Sequence, residues 1–469
     1  MSLSRRDAVS AIFSPCVATV AGVMPSTTAD AARSQGLNDG TKPVINVRQL
    51  GAAGDGVHDD SPAFSQAIAA ASRSAPSVIY VPAGRYLVAS LKASGHTIQV
   101  QGDGASSALI TKGPAPLLMF TNVGSVMMED LTLSGQKSRE VGDYALLTAQ
   151  DCSAIELINV AIRDSGGDGA HVRGSDTVRI DSCSFENCSR FGLRVTDTPT
   201  LGNRREIVRC LVRGNESHGI LLQRFMGADV ESNFVLENHA QGIHATDGSD
   251  WLRVCNNRCT KNGSRPIEHG IYILRCRGVA VHGNASFENA GDGVLLRECN
   301  DSIVSTNICT DNHRHGVSVQ RIDDPRSDTL IAAVNVGARN AESGVIATGI
   351  SRSLLGLNVG TDNGRYGVGG YPGPLGATSV LGLSCNLVSD NAKGGVVIAG
   401  ATSAAALANL VKTPAGAPAL ALHDFEKYQV AQVRLAANVE VSGEPPTSVR
   451  DLKGQANLVE HMTSDAPIR

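Results

Sequence analysis

The 469-residue sequence predicts one all-β domain, a single-stranded right-handed parallel β-helix (a solenoid) with a short N-terminal capping helix. Three observations predict it. Asparagine pairs five residues apart recur along the middle of the chain, each pair is followed by Gly and a short strand of alternating apolar residues, and residues 43–90 run turn, helix, strand in an order that suits the closed end of a coil.

The pairs are Asn233 and Asn238, Asn257 and Asn262, Asn284 and Asn289, Asn307 and Asn312, Asn335 and Asn340, Asn358 and Asn363, Asn386 and Asn391. Asn159 with Asp164, Ser182 with Asn187 and Cys210 with Asn215 read as degenerate earlier copies, so first members follow one another at 23 to 28 residues. A unit of that length cannot bury its own apolar face, so successive copies must stack into a continuous core. In the strands DGAHV from Asp168, HGILL from His218, QGIHA from Gln241, HGIYI from His269, DGVLL from Asp292 and HGVSV from His315, the residues one and three after Gly are mostly apolar and the residue between them varies. That is the period of a strand with one buried face. Asn is expected at the turns because it tolerates left-handed backbone. Regular coils are expected over 153–400 within a β-helix spanning 43–440, followed by a loosely ordered tail at 441–469.

At the N-terminal end, GAAGDGVHDD from Gly51 leads into Ser61-Pro62, an N-cap and first-turn pair, and a helix carrying Phe64, Ile68 and Ala71 on one stripe. VIYVPAGRYLV from Val78 follows as a strand and tight turn. This order resembles the N-terminal cap of the pectate-lyase-like superfamily, in its rhamnogalacturonase and epimerase branch. The superfamily includes polygalacturonases, alginate epimerases and phage tailspike depolymerases. The resemblance implies a polysaccharide substrate and places Asp55, Asp59 and Asp60 in the scaffold rather than in catalysis.

Composition narrows the partners. Fifty Gly and 4% aromatics describe a turn-rich chain, and a net charge of -4 gives no footprint for nucleic acid. Ser4-Arg5-Arg6-Asp7 precedes an apolar stretch from Ala8 to Met24 and the small residues Ala29-Asp30-Ala31. This reads as a signal peptide over 1–31 whose paired arginines resemble a twin-arginine signal, giving a periplasmic or secreted protein with no membrane contact after cleavage.

Stacked rungs line up equivalent residues, and a long polymer matches such a ladder. The position two after Gly runs His171, Arg194, Leu221, His244, Tyr272, Leu295, Ser318; the position before Gly runs Asp168, Phe191, His218, Gln241, His269, Asp292, His315. Five after Gly the row alternates in charge through Asp197, Arg224, Asp247, Arg275, Glu298 and Arg321, which equally suits pairing between neighbouring strands. Longer coils insert residues at Asp197 to Glu206, Ser264 to Glu268 and Arg321 to Asp328, predicting a cleft floored by residues 218 to 298 and walled near Arg204, Arg205, Asp323 and Arg326.

Lysis or C5-epimerisation of a uronate needs a cation on the carboxylate, a base for the C5 proton and an acid nearby, and His244, His269, Tyr272, Arg275 and Asp247 are the expected catalytic group. Arg194, His218, Arg224, Glu268, Asp292, Arg297, Glu298 and Arg321 are the expected substrate contacts. Hydrolysis would use two carboxylates, such as Asp247 with Asp292 or Glu298, but the polygalacturonase Asn-Thr-Asp and Asp-Asp signatures are missing. The Asp-Pro-His signature of alginate epimerases is also missing. A non-catalytic glycan-binding module is the competing class. No cofactor is expected, and nothing supports calcium. Oligomeric state stays open, a trimer included. Cys276 and Cys299, each eight residues before the Asn of its rung, are expected to stack as a disulfide or a close thiol pair.

Overall fold

The computed structural model describes residues 42–71, 77–95, 97–137, 141–198, 204–322, 329–374, 376, 378, 380–414, 416–423, 430, 432–436, 438–440 and 457–461. The expected export signal, Asp323, Arg326 and most of the expected tail lie outside them.

Within Val44–Arg469 the chain winds as a right-handed parallel β-helix whose strands form two sheets of parallel neighbours. A front sheet takes one strand per coil, 14 among the described residues, and a back sheet of 31 strands takes two per coil with a corner between them. The register follows the repeat: His171 pairs with Arg194, Arg194 with Leu221, Leu221 with His244 and His244 with Tyr272. Inward residues of both sheets, such as Val195, Leu222, Ala245 and Ile273 in front and Val230, Val254 and Val281 behind, form one core along the axis.

The asparagines do line up, through a geometry different from the expected one. The left-handed residue at each corner is the one before the ladder position: Ser232, Asn256, Thr306, Val334 and Leu357 before Asn233, Asn257, Asn307, Asn335 and Asn358. Asn159, Asp164, Ser182 and Asn187 have the same positive φ, so in those coils the ladder position is one residue later than the sequence pattern assigns. Each ladder Asn turns inward and caps its neighbour. Asn257 Oδ1 accepts from the backbone N–H of Asn233 at 3.0 Å and from Asn233 Nδ2 at 2.9 Å, while Asn257 Nδ2 donates to Val230 O and to Asn284 Oδ1. The amide thereby satisfies the corner N–H that the bend removes from strand pairing. One row runs from Asn233 to Asn438 and a second from Asn215 to Asn391. Asn409 and Asn438 extend the first row beyond the last recognised pair.

The Gly before each front strand answers to close approach. A Cβ on Gly242 would lie 2.6 Å from Gly270 O and 2.8 Å from Asn262 Nδ2.

At the N-terminal end, helix Ser61–Ala71 buries Ala63, Phe64, Ala67 and Ala71, with the Phe64 and Tyr86 rings edge to face at 5.4 Å. Ile68 packs at the margin of the core. Its cap is Asp60 rather than Ser61: Asp60 O accepts from Phe64 N, and the Asp60 carboxylate accepts from Ala53 N and Gly54 N. Asp55 and Asp59 likewise accept backbone N–H groups of their own turn.

Cys276 and Cys299 stack on neighbouring coils, next to the paired Arg277 and Asn300, and no disulfide joins them. Of the two expected outcomes the thiol pair holds, and burial pushes Cys299 up to about 12.

Candidate functional site on the front sheet

Five consecutive front strands, Asp168–Arg173, Leu193–Thr198, Ile220–Phe225, Ile243–Thr246 and Ile271–Leu274, present the row His171, Arg194, Leu221, His244 and Tyr272 outward. Beside it, Phe191 and His218 come from the turns that precede the strands. Their rings make a continuous strip across four coils. Phe191 stacks on His218 at 5.3 Å, His218 meets His244 edge-on at 4.9 Å, and His244 stacks on Tyr272 at 4.8 Å with 11° between planes. Arg190 and Arg194 lie over Phe191 at 5.4 and 5.6 Å, closing one end with positive charge. The Arg297 guanidinium lies near Tyr272 at the other end, close enough to act on its phenol.

Burial sets the protonation states. It holds the imidazoles of His171 and His218 down at about 4 and that of His244 at about 3. The His218 and His244 rings are therefore neutral at neutral pH, and their nitrogens face each other at 3.5 Å. His244 Nε2 is buried with no hydrogen-bond partner, as is Arg194 Nε. Burial also raises the Tyr272 phenol, with the Arg297 guanidinium opposing, so Tyr272 keeps its proton.

Behind the strip sits Asp168, 2% exposed, with Arg190 at 3.4 Å and Arg194 at 4.0 Å. Burial pushes its carboxyl up to about 6, and the two guanidinium groups pull it back only in part.

Several residues expected to touch substrate have other work. The row before Gly is a third capping ladder. His269 Nδ1 accepts from Asp292 N at 2.9 Å, Asp292 Oδ1 from His315 N at 2.9 Å, and His315 Nδ1 from Ser343 N at 3.1 Å. His269 is 3% exposed and Asp292 fully buried, so Asp292 cannot meet a polymer and His269 instead backs the Tyr272 ring at 5.2 Å. Glu268 is buried because its carboxylate closes its own loop, accepting from Ser264 N, Arg265 N and the Arg265 guanidinium; these bonds hold it below the usual range despite burial. Glu298 is buried and accepts from Ile322 N, and Arg321, 8% exposed, donates to Ser351. Arg205 was expected on the cleft wall. It is 3% exposed and donates to the carbonyls of Asp176 and Met226. Arg204 does lie at the surface, paired with Glu206.

The alternating charged row is paired at its start. Arg224 binds Asp197, which also holds Arg173, and Asp247 accepts from Gln223. Asp247 and Arg275 are exposed on the bend that ends the strands of His244 and Tyr272. The structure therefore brings together His218, His244, Tyr272, Arg194 and Arg297, with Arg275 and Asp247 at the rim. Sequence reading missed Phe191 as the platform under two arginines, although it stands in the row before Gly.

A model of the rhamnogalacturonase A/epimerase, pectate lyase-like family matches residues 44–345, from the cap through the aromatic strip. The chain belongs to this family. Among curated relatives, it is 22% identical over 283 residues to the mannuronan C5-epimerase AlgE1 of Azotobacter vinelandii, covering 54% of this chain and 18% of that protein. It is 25% identical over 264 residues to the pre-neck appendage protein of Bacillus phage B103, covering 52% of this chain and 29% of that one. The chain thus spans well under a third of the length of either relative. Tailspike protein 3 of bacteriophage CBA120 superposes with a TM-score of 0.53 at 13% identity, over 86% of this chain and 62% of that one, which shows a shared fold.

Proposed function

We propose that this family member acts on a uronate-containing polysaccharide lying along the front sheet, as a lyase or C5-epimerase, with His244 and Tyr272 as its reacting pair. The stack of a neutral imidazole, whose Nε2 has no hydrogen-bond partner, on a protonated phenol, with Arg194 and Arg297 toward the two ends of the aromatic strip, carries the reading. Similarity to mannuronan epimerases over half the chain supports the substrate class.

His244 takes the C5 proton while Arg194 or Arg297 neutralises the uronate carboxylate. In lysis the electron pair of the C5–H bond forms C4=C5, the C4–O4 bond breaks, and Tyr272 protonates the leaving oxygen. The burial that keeps His244 neutral also makes it a weak base in the free protein. A bound uronate carboxylate beside it favours the imidazolium and strengthens the base when substrate is present. His244 and Tyr272 rise from one floor, so both reach the same face of a sugar, which favours lysis; epimerisation requires a further group on the opposite face. Hydrolysis is disfavoured because Asp292 is fully buried and Glu298 is committed to Ile322 N.

The test is incubation of the protein with polyuronates, following ultraviolet absorbance of the unsaturated product, reducing ends and exchange of the C5 proton. Tyr272→Phe and His244→Ala are expected to lower turnover by about 100-fold or more. Full activity in both variants removes the assignment, and reducing ends without absorbance would indicate hydrolysis instead. Export to the periplasm or medium belongs to the same proposal, tested by locating the protein in cell fractions.

A further inference from the structure

On its back sheet the molecule carries a face that neither catalysis nor the family explains. From Glu156 to Arg253 one outward row of this sheet is charged, Glu156, Arg179, Glu206, Asp229 and Arg253, while the row across the corner there is mixed, Ser184, Leu211, Phe234 and Arg258. The charged row continues as Ala280, Ile303, Ile331, Leu354, Gly382 and Ala405. Across the corner, the parallel row reads Ile308, Val336, Val359, Leu387 and Leu410. Ile303, Leu354, Ile308, Leu387 and Leu410 are each 40% exposed or more.

The corner changes with the rows. Its left-handed position is Ser182, Arg209, Ser232, Asn256 and Gly283 in the charged half, then Thr306, Val334 and Leu357, the last two 47% and 60% exposed. A β-branched side chain is poorly suited to that backbone, and nothing inside the coil benefits from it, because the side chain points to solvent.

We infer that this apolar back face, from Ile303 to Leu410, binds a second copy of the same chain. Its extent supports that occupant. Five coils at about 4.8 Å by eight residues at about 3.3 Å give on the order of 600 Å², near the roughly 800 Å² per partner of a standard interface and at the top of what monomers expose. Charge supports it as well. Of the acidic residues along the rim, Asp311 pairs with Arg339 and Asp390 with Lys412, and Asp362 accepts from Thr361, so most of the charge where two identical faces would meet is compensated within the chain. Pitch is the third argument. The apolar ridges repeat once per coil, and only another copy is certain to carry the same spacing.

The inference is independent of the proposed chemistry, and its test needs no substrate. Full-length protein is examined by sedimentation velocity and light scattering over a range of micromolar concentrations, beside Leu354→Lys/Leu387→Lys and the corner control Ser232→Lys from the charged half. The wild type and control are expected to associate. The double variant should run as a monomer, or dissociate at a concentration at least about tenfold higher, with an unchanged unfolding profile that excludes misfolding. A monomeric wild type overturns the inference, whether the face is then bare or covered by residues 441–456. Association unmoved by the two lysines overturns it too, by placing the contact elsewhere.

Discussion

Between His171 and Tyr272 the outward row of the front sheet holds two imidazoles, a guanidinium and a phenol; from Leu295 onward it continues as Ser318, Ile346, Gly369, Val397 and Ala421. In this second stretch Ile346, Val397 and Ala421 are buried on the outer side of the sheet, beneath Tyr366 and Tyr371. Backbone and pitch are the same in both stretches, and the asparagine ladders begin within the first, at Asn215 and Asn233, and run on through the second. The difference teaches that the coil is an indifferent carrier: stability comes from inward positions that repeat, and chemistry from outward positions that do not.

The strongest way to break that comparison is to cut the ladder once in each half. Asn262→Ala leaves Asn238 N–H, Asn238 Nδ2 and Val235 O without their partner, and Asn363→Ala does the same to Asn340 and Gly337 O. With buried orphans costing about 1–3 kcal/mol each, either variant should lose on the order of 3 kcal/mol or more in urea unfolding. Near-equal losses support a uniform scaffold. A loss confined to one half contradicts it.

Acid should separate the halves next, because His171, His218 and His244 all lie in the first. Their folded values are depressed from 6.5 to about 4, 4 and 3, so the unfolded chain binds more protons and stability falls as pH drops from about 6.5 to 4. A depression from 6.5 to between about 4 and 3 corresponds to roughly 3–5 kcal/mol for one histidine. Asp168, raised to about 6, acts in the opposite sense between about pH 4 and 6, so the comparison must be differential. Denaturant titrations of wild type and His244→Phe should diverge below pH 6.5, with the variant less acid-sensitive.

The smallest expected effect lies at the corners. Val334→Asn places at a φ of 59° a residue that tolerates left-handed backbone. It should raise the urea stability of the protomer by about 1 kcal/mol, while Asn256→Val at the equivalent corner of the first half should lower it by a similar amount.

Much of this was legible in the sequence. The coil period, the front-sheet register and the stack of His244 on Tyr272 follow from counting, because a parallel coil converts spacing directly into contact. What counting could not supply was the direction in which a turn side chain points. His218, His269, Asp292 and His315 share a row with Phe191, yet each caps the next coil, because the N–H groups of Gln241, Asp292, His315 and Ser343 there need acceptors. Glu268 was misread for a related reason: its insertion supplies the donors that bury it. The left-handed residue and the ladder Asn are neighbours, which explains the one-residue offset at Asn159 and Ser182. The apolar back face was present in the same register and would have been found by reading the back rows as the front ones were read.

The most direct measurement is a crystal structure with a uronate oligosaccharide bound. The account predicts sugar along the front sheet from Arg194 to Arg297, with a carboxylate at one of these arginines and C5 beside the His244 and Tyr272 rings. Sugar seated instead over Ser318 to Val397, or against the back sheet, would contradict it.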